Sequence, residues 1–138
     1  MELSRQADYA IRTIMELARV PQGRLLQTRE IARRQEIPVK YLPTIVRTLA
    51  RAGIVRTLRG SQGGITLARI PDQISLLDVI EAIDGPVLLN RCQIRPGECG
   101  GVKPCRLHRF WEKMVAGIEK EMRAANFRVM ADLNQIQD

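Results

Sequence analysis

The chain has 138 residues, with Lys+Arg 22 against Asp+Glu 15, a net charge of +7 and 45% hydrophobic residues. That length fits one domain, or a small domain with an arm, and the apolar content can fill a core without disulfide staples. No apolar run reaches the roughly 18 residues that span a bilayer.

Nothing at the start resembles a secretory signal, so a reducing, cytoplasmic setting is expected, where thiols stay reduced or hold a metal. The charge is uneven. Residues 1–70 carry 13 bases against 5 acids, a net of +8, and residues 71–138 carry 9 bases against 10 acids, a net of −1. A basic half joined to a neutral one predicts that the amino-terminal end meets a polyanion.

From Leu3 to Val20, apolar residues recur at helical spacing, with Ser4 placed as the cap and "PQG" (21–23) as the stop. Thr28 is expected to cap a short helix running to about Gln35. Ile37 before Pro38 marks a turn, and Pro38 suits the first turn of a second helix that ends at Gly53. Pro43 is anomalous in that helix unless it lies near its start. Two short helices joined by a tight turn describe a helix-turn-helix. Ile54–Leu58 and Ile65–Leu67 read as strands around the flexible loop "RGSQGG". A helix-turn-helix followed by such a hairpin is the winged-helix pattern. "ISLLDVIEAIDG" reads as a helix capped at Ser75 and closed at Gly85. From Phe110 to Leu133 an apolar stripe through Trp111, Met114, Val115, Ile118, Met122, Ala125 and Val129 predicts one long amphipathic helix, suited to pairing with a second copy. The fold expected is mainly α: a winged helix-turn-helix with a small β-hairpin wing and a long C-terminal dimerisation helix. The expected organisation is a DNA-binding domain over residues 1–70, and a linking helix, cysteine loop and dimer helix over 71–138.

A reading helix presents donors to base edges from its exposed N-terminal part, with cations on the flanking phosphates. Lys40, Tyr41 and Thr44 occupy that part, and Arg47 and Arg51 lie one and two turns on. Arg59, in a glycine-rich hairpin, suits a narrow minor groove. All three cysteines fall between residues 91 and 108, as Cys92-x6-Cys99-x5-Cys105 with His108 three residues later. Close C-x2-4-C zinc pairs and the redox C-x-x-C are absent. Three thiolates on a Gly/Pro-rich loop can converge on one soft ion or iron–sulfur cluster that needs a fourth ligand, with His108 near; idle thiols are the plain alternative. No catalytic constellation is visible, so neither an enzyme nor a small-molecule substrate is expected.

These residues resemble the bacterial winged-helix regulators typified by IscR and NsrR over essentially the whole chain. "LSRQADYAIRTIMELA" resembles their opening helix, and "TREIARRQEIPVKYLPTIVRTLARAGIVRTLRGSQGGITLA" their reading head with its wing. "SLLDVIEAIDG" resembles the linking helix and "CRLHRFW" the start of the dimer helix. The resemblance implies a cytoplasmic homodimer on a pseudo-palindromic double-stranded operator, most often as a repressor. Lys40, Tyr41 and Thr44 would meet the major groove, and Arg59 with Gly60 the minor groove. Cys92, Cys99 and Cys105 would hold an iron–sulfur cluster. IscR-like members complete a 2Fe–2S cluster with a histidine, matched by His108. NsrR-like members, which sense nitric oxide, complete a 4Fe–4S cluster with an aspartate from the partner's first helix, matched by Asp8. The lability of an oxygen ligand tips the expectation to Asp8 and 4Fe–4S. The gap between Cys92 and Cys99 is one residue longer than the family's usual one. The alternatives are a cluster-free regulator that responds through thiol oxidation or a partner protein, and an iron–sulfur carrier that binds no DNA.

Overall fold

The computed structural model describes residues 2–95, 97–98 and 105–132. Helix α1 (Arg5–Arg19) starts on Ser4, whose Oγ accepts the Ala7 N–H at 3.0 Å. Asp8 in its first turn and Arg19 in its last suit the helix dipole. Helix α2 (Thr28–Gln35) starts one residue earlier than a Thr28 cap implies. Gln27 holds the cap position but makes no side-chain capping bond. Its amide instead donates to the carbonyls of Ser61 and Gly63, 3.4 Å each, a long-range use that local sequence does not reveal. Glu36, at φ 54°, turns the chain out of α2.

Pro38 does not open the second helix directly. A 3₁₀ turn over Val39–Tyr41 comes first, and α3 runs from Leu42 to Arg51. The later start places Pro43 in the first turn of α3, where its missing N–H costs nothing. Strands β1 (Val55–Leu58) and β2 (Gly64–Leu67) form the antiparallel wing, with Val55 opposite Leu67 and Leu58 opposite Gly64. Leu26 exchanges two backbone bonds with Ile65, 2.9 and 2.8 Å, so the wing is joined to the segment leading into α2. A Cβ on Gly63 would lie 2.0 Å from the Leu58 carbonyl oxygen, so only glycine fits there.

Helix α4 (Leu76–Asp84) has a reciprocal cap: Ser75 Oγ accepts the Asp78 N–H, and Asp78 accepts the Ser75 N–H. Short helix α5 (Arg91–Ile94) follows, then α6 (Arg106–Ala124) and α7 (Phe127–Ala131). The expected single helix over 110–133 is therefore broken at Ala125–Asn126, where the backbone is extended. The break has a cause beyond local preference. Leu76 N–H bonds the Ala125 carbonyl at 2.8 Å, and Phe127 N–H bonds the Ile74 carbonyl at 3.0 Å. Asn126 then caps α7 by accepting the Val129 N–H. Leu133, part of the expected stripe, lies outside the described residues.

The main core joins Ile14 and Leu17 of α1, Ile31 of α2, Leu42, Ile45 and Leu49 of α3 and Ile65 of the wing to Ile74, Val79 and Phe127. Phe127 is fully buried. A second, smaller cluster joins Leu77, Val87 and Val115, with Leu89, Ile118 and Met122 against it. Among the described residues, no helix is long and apolar enough to cross a membrane.

Candidate functional site

Two sites emerge from this frame. The first is the basic face of the reading head. Residues 37–71 hold Lys40, Arg47, Arg51, Arg56, Arg59 and Arg69 and no acid. Lys40, Thr44, Arg47, Arg51, Arg56, Arg59 and Gly60 are all exposed. Among the described residues, no carboxylate forms an ion pair with Lys40, Arg47, Arg51, Arg56 or Arg59. Uncompensated cations on one face give the potential that attracts a polyanion.

Tyr41 differs from its neighbours. It is half-buried, and its ring stands 5.7 Å from that of Tyr9 on α1. Lys40 Nζ lies over the Tyr41 ring at 5.2 Å, and the Arg12 guanidinium over the Tyr9 ring at 5.9 Å. Tyr41 thus anchors the start of α3 to α1, and Lys40 stands directly above it. Arg56, an exposed cation on β1, escaped the sequence reading. The outward position of Arg56 in the wing was the available signal.

The head is also braced from beneath. Glu16 is buried, and Arg19 meets it at 2.9 Å and Arg34 at 3.5 Å, with Gln35 donating to it as well. A buried carboxylate needs such partners, and these tie α2 to α1. Arg12 adds a bond to the Gln35 carbonyl at 3.3 Å.

The second site surrounds Cys92. Asn90 caps α5 and offers its amide to Cys92 Sγ at 3.8 Å. His108, in the first turn of α6, places Nδ1 3.4 Å from the same sulfur. Its Nε2 is 3.2 Å from Glu112, one turn on, which orients the ring. Cys105 is the N-cap of α6, and His108 follows it by three residues, in the helix's first turn. Cys92 and Cys105 are free thiols and half-buried. Cys99 lies outside the described residues. A thiolate and an imidazole bound to one tetrahedral metal stand roughly 3.5 Å apart, so the Cys92–His108 pair fits a shared metal centre. Asp8 is elsewhere: it pairs with Arg12 at 2.7 Å on α1 and is half-exposed. Among the described residues, no three ligand-type side chains converge.

The sites are connected. Ser4, which caps α1, donates its N–H to Asp84 at 3.0 Å and its hydroxyl to the same carboxylate, so α1 begins against the end of α4. Val87 and Leu89 then lead from α4 to α5 and Cys92. Helix α6 has a second apolar side. Leu107, Phe110 and Met114 are exposed, Phe110 by 61%, while Val115, Ile118 and Met122 face inward.

The sequence profile of the Rrf2 family, described as an iron-dependent transcriptional regulator, matches residues 3–133. The chain is 28% identical to the regulator IscR of Aliivibrio salmonicida over 99% of this chain and 81% of that protein. It is 31% identical to IscR of Cronobacter sakazakii over 83% of this chain and 70% of that one. A Mycobacterium tuberculosis protein named as an HTH-type transcriptional regulator is 39% identical over 63% of this chain, but that match spans only 54% of its length. Among solved structures, CymR, named the global cysteine regulator of B. subtilis, superposes with a TM-score of 0.78 at 21% identity, covering 95% of this chain and 96% of that one. IscR of T. potens gives 0.77 at 24% identity over 100% of this chain and 92% of the other. At those identities the two structures establish the winged-helix fold.

Proposed function

The chain belongs to the Rrf2 family of DNA-binding transcriptional regulators, and on that premise we propose that it is a dimeric operator-binding protein, acting as a repressor, controlled by an iron–sulfur cluster in its cysteine segment. Residues 1–70 are the DNA-binding unit and 71–138 carry the sensing and pairing elements. The observation that carries the cluster is the approach of His108 Nδ1 to Cys92 Sγ at 3.4 Å. Cys92, Cys99 and Cys105 hold the cluster, with His108 as fourth ligand from the same chain. Asp8 of a second copy is the other candidate, and to serve it must leave Arg12. The bound group supplies a redox-active centre that reacts with small oxidants.

The residues do the rest. The exposed stripe Leu107–Phe110–Met114 on α6, with Gly117 next in the 3–4–3 spacing, supports pairing with a second copy. A change at Cys92 is passed through Val87 and Leu89 to Asp84, from Asp84 to Ser4 at the start of α1, and from Tyr9 of α1 to Tyr41. Lys40, Thr44, Arg47 and Arg51 meet the major groove, and Arg59 with Gly60 the minor groove. A second reading is a cluster-free regulator that senses thiol chemistry. The likeness to CymR and the free thiols of Cys92 and Cys105 favour it.

The test is operator affinity of anaerobically purified protein with and without its iron, at matched salt. A difference of about tenfold or more is expected, in the range of a typical coupling free energy. Equal affinity removes cluster control. Iron retained in His108→Ala but lost in Asp8→Ala transfers the fourth-ligand role to Asp8.

A further inference from the structure

The leading edge of the reading head is apolar as well as cationic. Val39 is 51% exposed, and its neighbours Pro38 and Pro43 are exposed with it. This exposure is not the result of a loose segment. Ile37 and Leu42, on either side, are buried, and the Tyr41 ring packs at a tilt against that of Tyr9. Pro38 limits the backbone, the 3₁₀ turn closes with the Tyr41 N–H on the Pro38 carbonyl at 3.1 Å, and a β-branched side chain has few rotamers. The isopropyl group is therefore held outward in a fixed place, next in the chain to Lys40. Residues 37–71, of which it is part, carry six bases and no acid, so the ligand this segment suits is a polyanion.

The Tyr41 ring packs against Tyr9, and beside it the exposed Lys40 and Thr44 provide polar reach and Val39 apolar reach. In the major groove, the C5-methyl of thymine is the base-edge group that an apolar side chain recognises. We propose that Val39 is a specificity-determining residue that packs on a thymine methyl, so that each operator half-site carries thymine opposite the 3₁₀ turn before α3. This inference rests on the DNA-binding reading and adds the base it selects.

The experiment uses the full chain and a duplex that the chain itself selects from a random pool. Each thymine of a half-site is replaced in turn by deoxyuridine, which lacks only the methyl, and affinity is measured at fixed salt. At one or two positions per half-site, the loss expected is roughly threefold to fivefold per methyl. Val39→Ala is expected to bind the thymine duplex more weakly by a similar factor and to be indifferent to deoxyuridine at those positions, with thermal unfolding unchanged. Wild-type indifference to every deoxyuridine overturns the proposal while leaving DNA binding intact. So does full sensitivity persisting in Val39→Ala. Selection of no duplex overturns both readings.

Discussion

Arg59 and Cys92 both stand on short connections, but the connections are held in different ways. The wing beneath Arg59 is tied by bonds distant in sequence: Leu26 pairs with Ile65, and Gln27 reaches Ser61 and Gly63. Among the described residues, the turn at Cys92 is held mostly by its own neighbours, Asn90 and Gln93, and by the approach of His108. Val55, Ile65 and Leu67 of the wing belong to the main core; the chain leading to Cys92 joins, through Val87 and Leu89, only the small cluster with Leu77 and Val115. A surface that must match a duplex gains from a geometry fixed before contact, because ordering it on binding costs affinity. A segment that changes state belongs at the less stable end of the molecule. The two regions thus differ in the direction that the proposed tasks of reading DNA and sensing would require.

The largest effect is expected from Phe127→Ala. Phe127 belongs to the carboxyl-terminal part of the chain, yet it is fully buried in the core of the reading head. Truncation should cost about 3–5 kcal/mol. Chemical denaturation measures it, and a loss below about 1 kcal/mol would mean that α7 is not part of that core. The next largest effect is expected from Gly63→Ala. The new Cβ would meet the Leu58 carbonyl, so the strand pair must open. A stability loss of about 1–3 kcal/mol should accompany weakened operator binding, while iron and sulfide per chain stay as in the parent. Loss of iron with binding retained would reverse the assignment of the two regions.

What was legible in the sequence follows from where each interaction lies. The caps at Ser4 and Ser75 are bonds across three residues, and both were readable. The hairpin was readable from its glycines. The break at Ala125–Asn126 was not, because "RAANFR" holds no proline or glycine and its neighbours favour helix. Bonds to Ile74 and Leu76, far away in sequence, decide it. The local hint was Asn126, a good cap residue, followed by Phe127. In the reading head, the cations were legible as a charge excess, whereas the anchoring of Tyr41 on Tyr9 needed the packing of α1 against α3. His108 was placed near the cysteines by its position in the chain, and only the meeting of α5 with α6 brings it to Cys92.

The smallest effect tests the seam. Helix α4 serves both regions: Val79 enters the main core and Leu77 the second cluster. Its first turn depends on Ser75 Oγ, which accepts the Asp78 N–H at 3.1 Å, while the Ser75 backbone lies beside Asn126. Ser75→Ala removes that acceptor and leaves the backbone bonds of the seam in place. The expected loss is about 1 kcal/mol, read as a lower denaturation midpoint with an unchanged slope. An unchanged slope would mean that both clusters still unfold together, because the exposed area is the same. If the transition instead separates into two, the cluster around Leu77, Val87 and Val115 can open while the reading head stays folded. That opening is the freedom a signal at Cys92 requires if it is to act through Asp84 and Ser4 without dismantling the surface that holds the DNA.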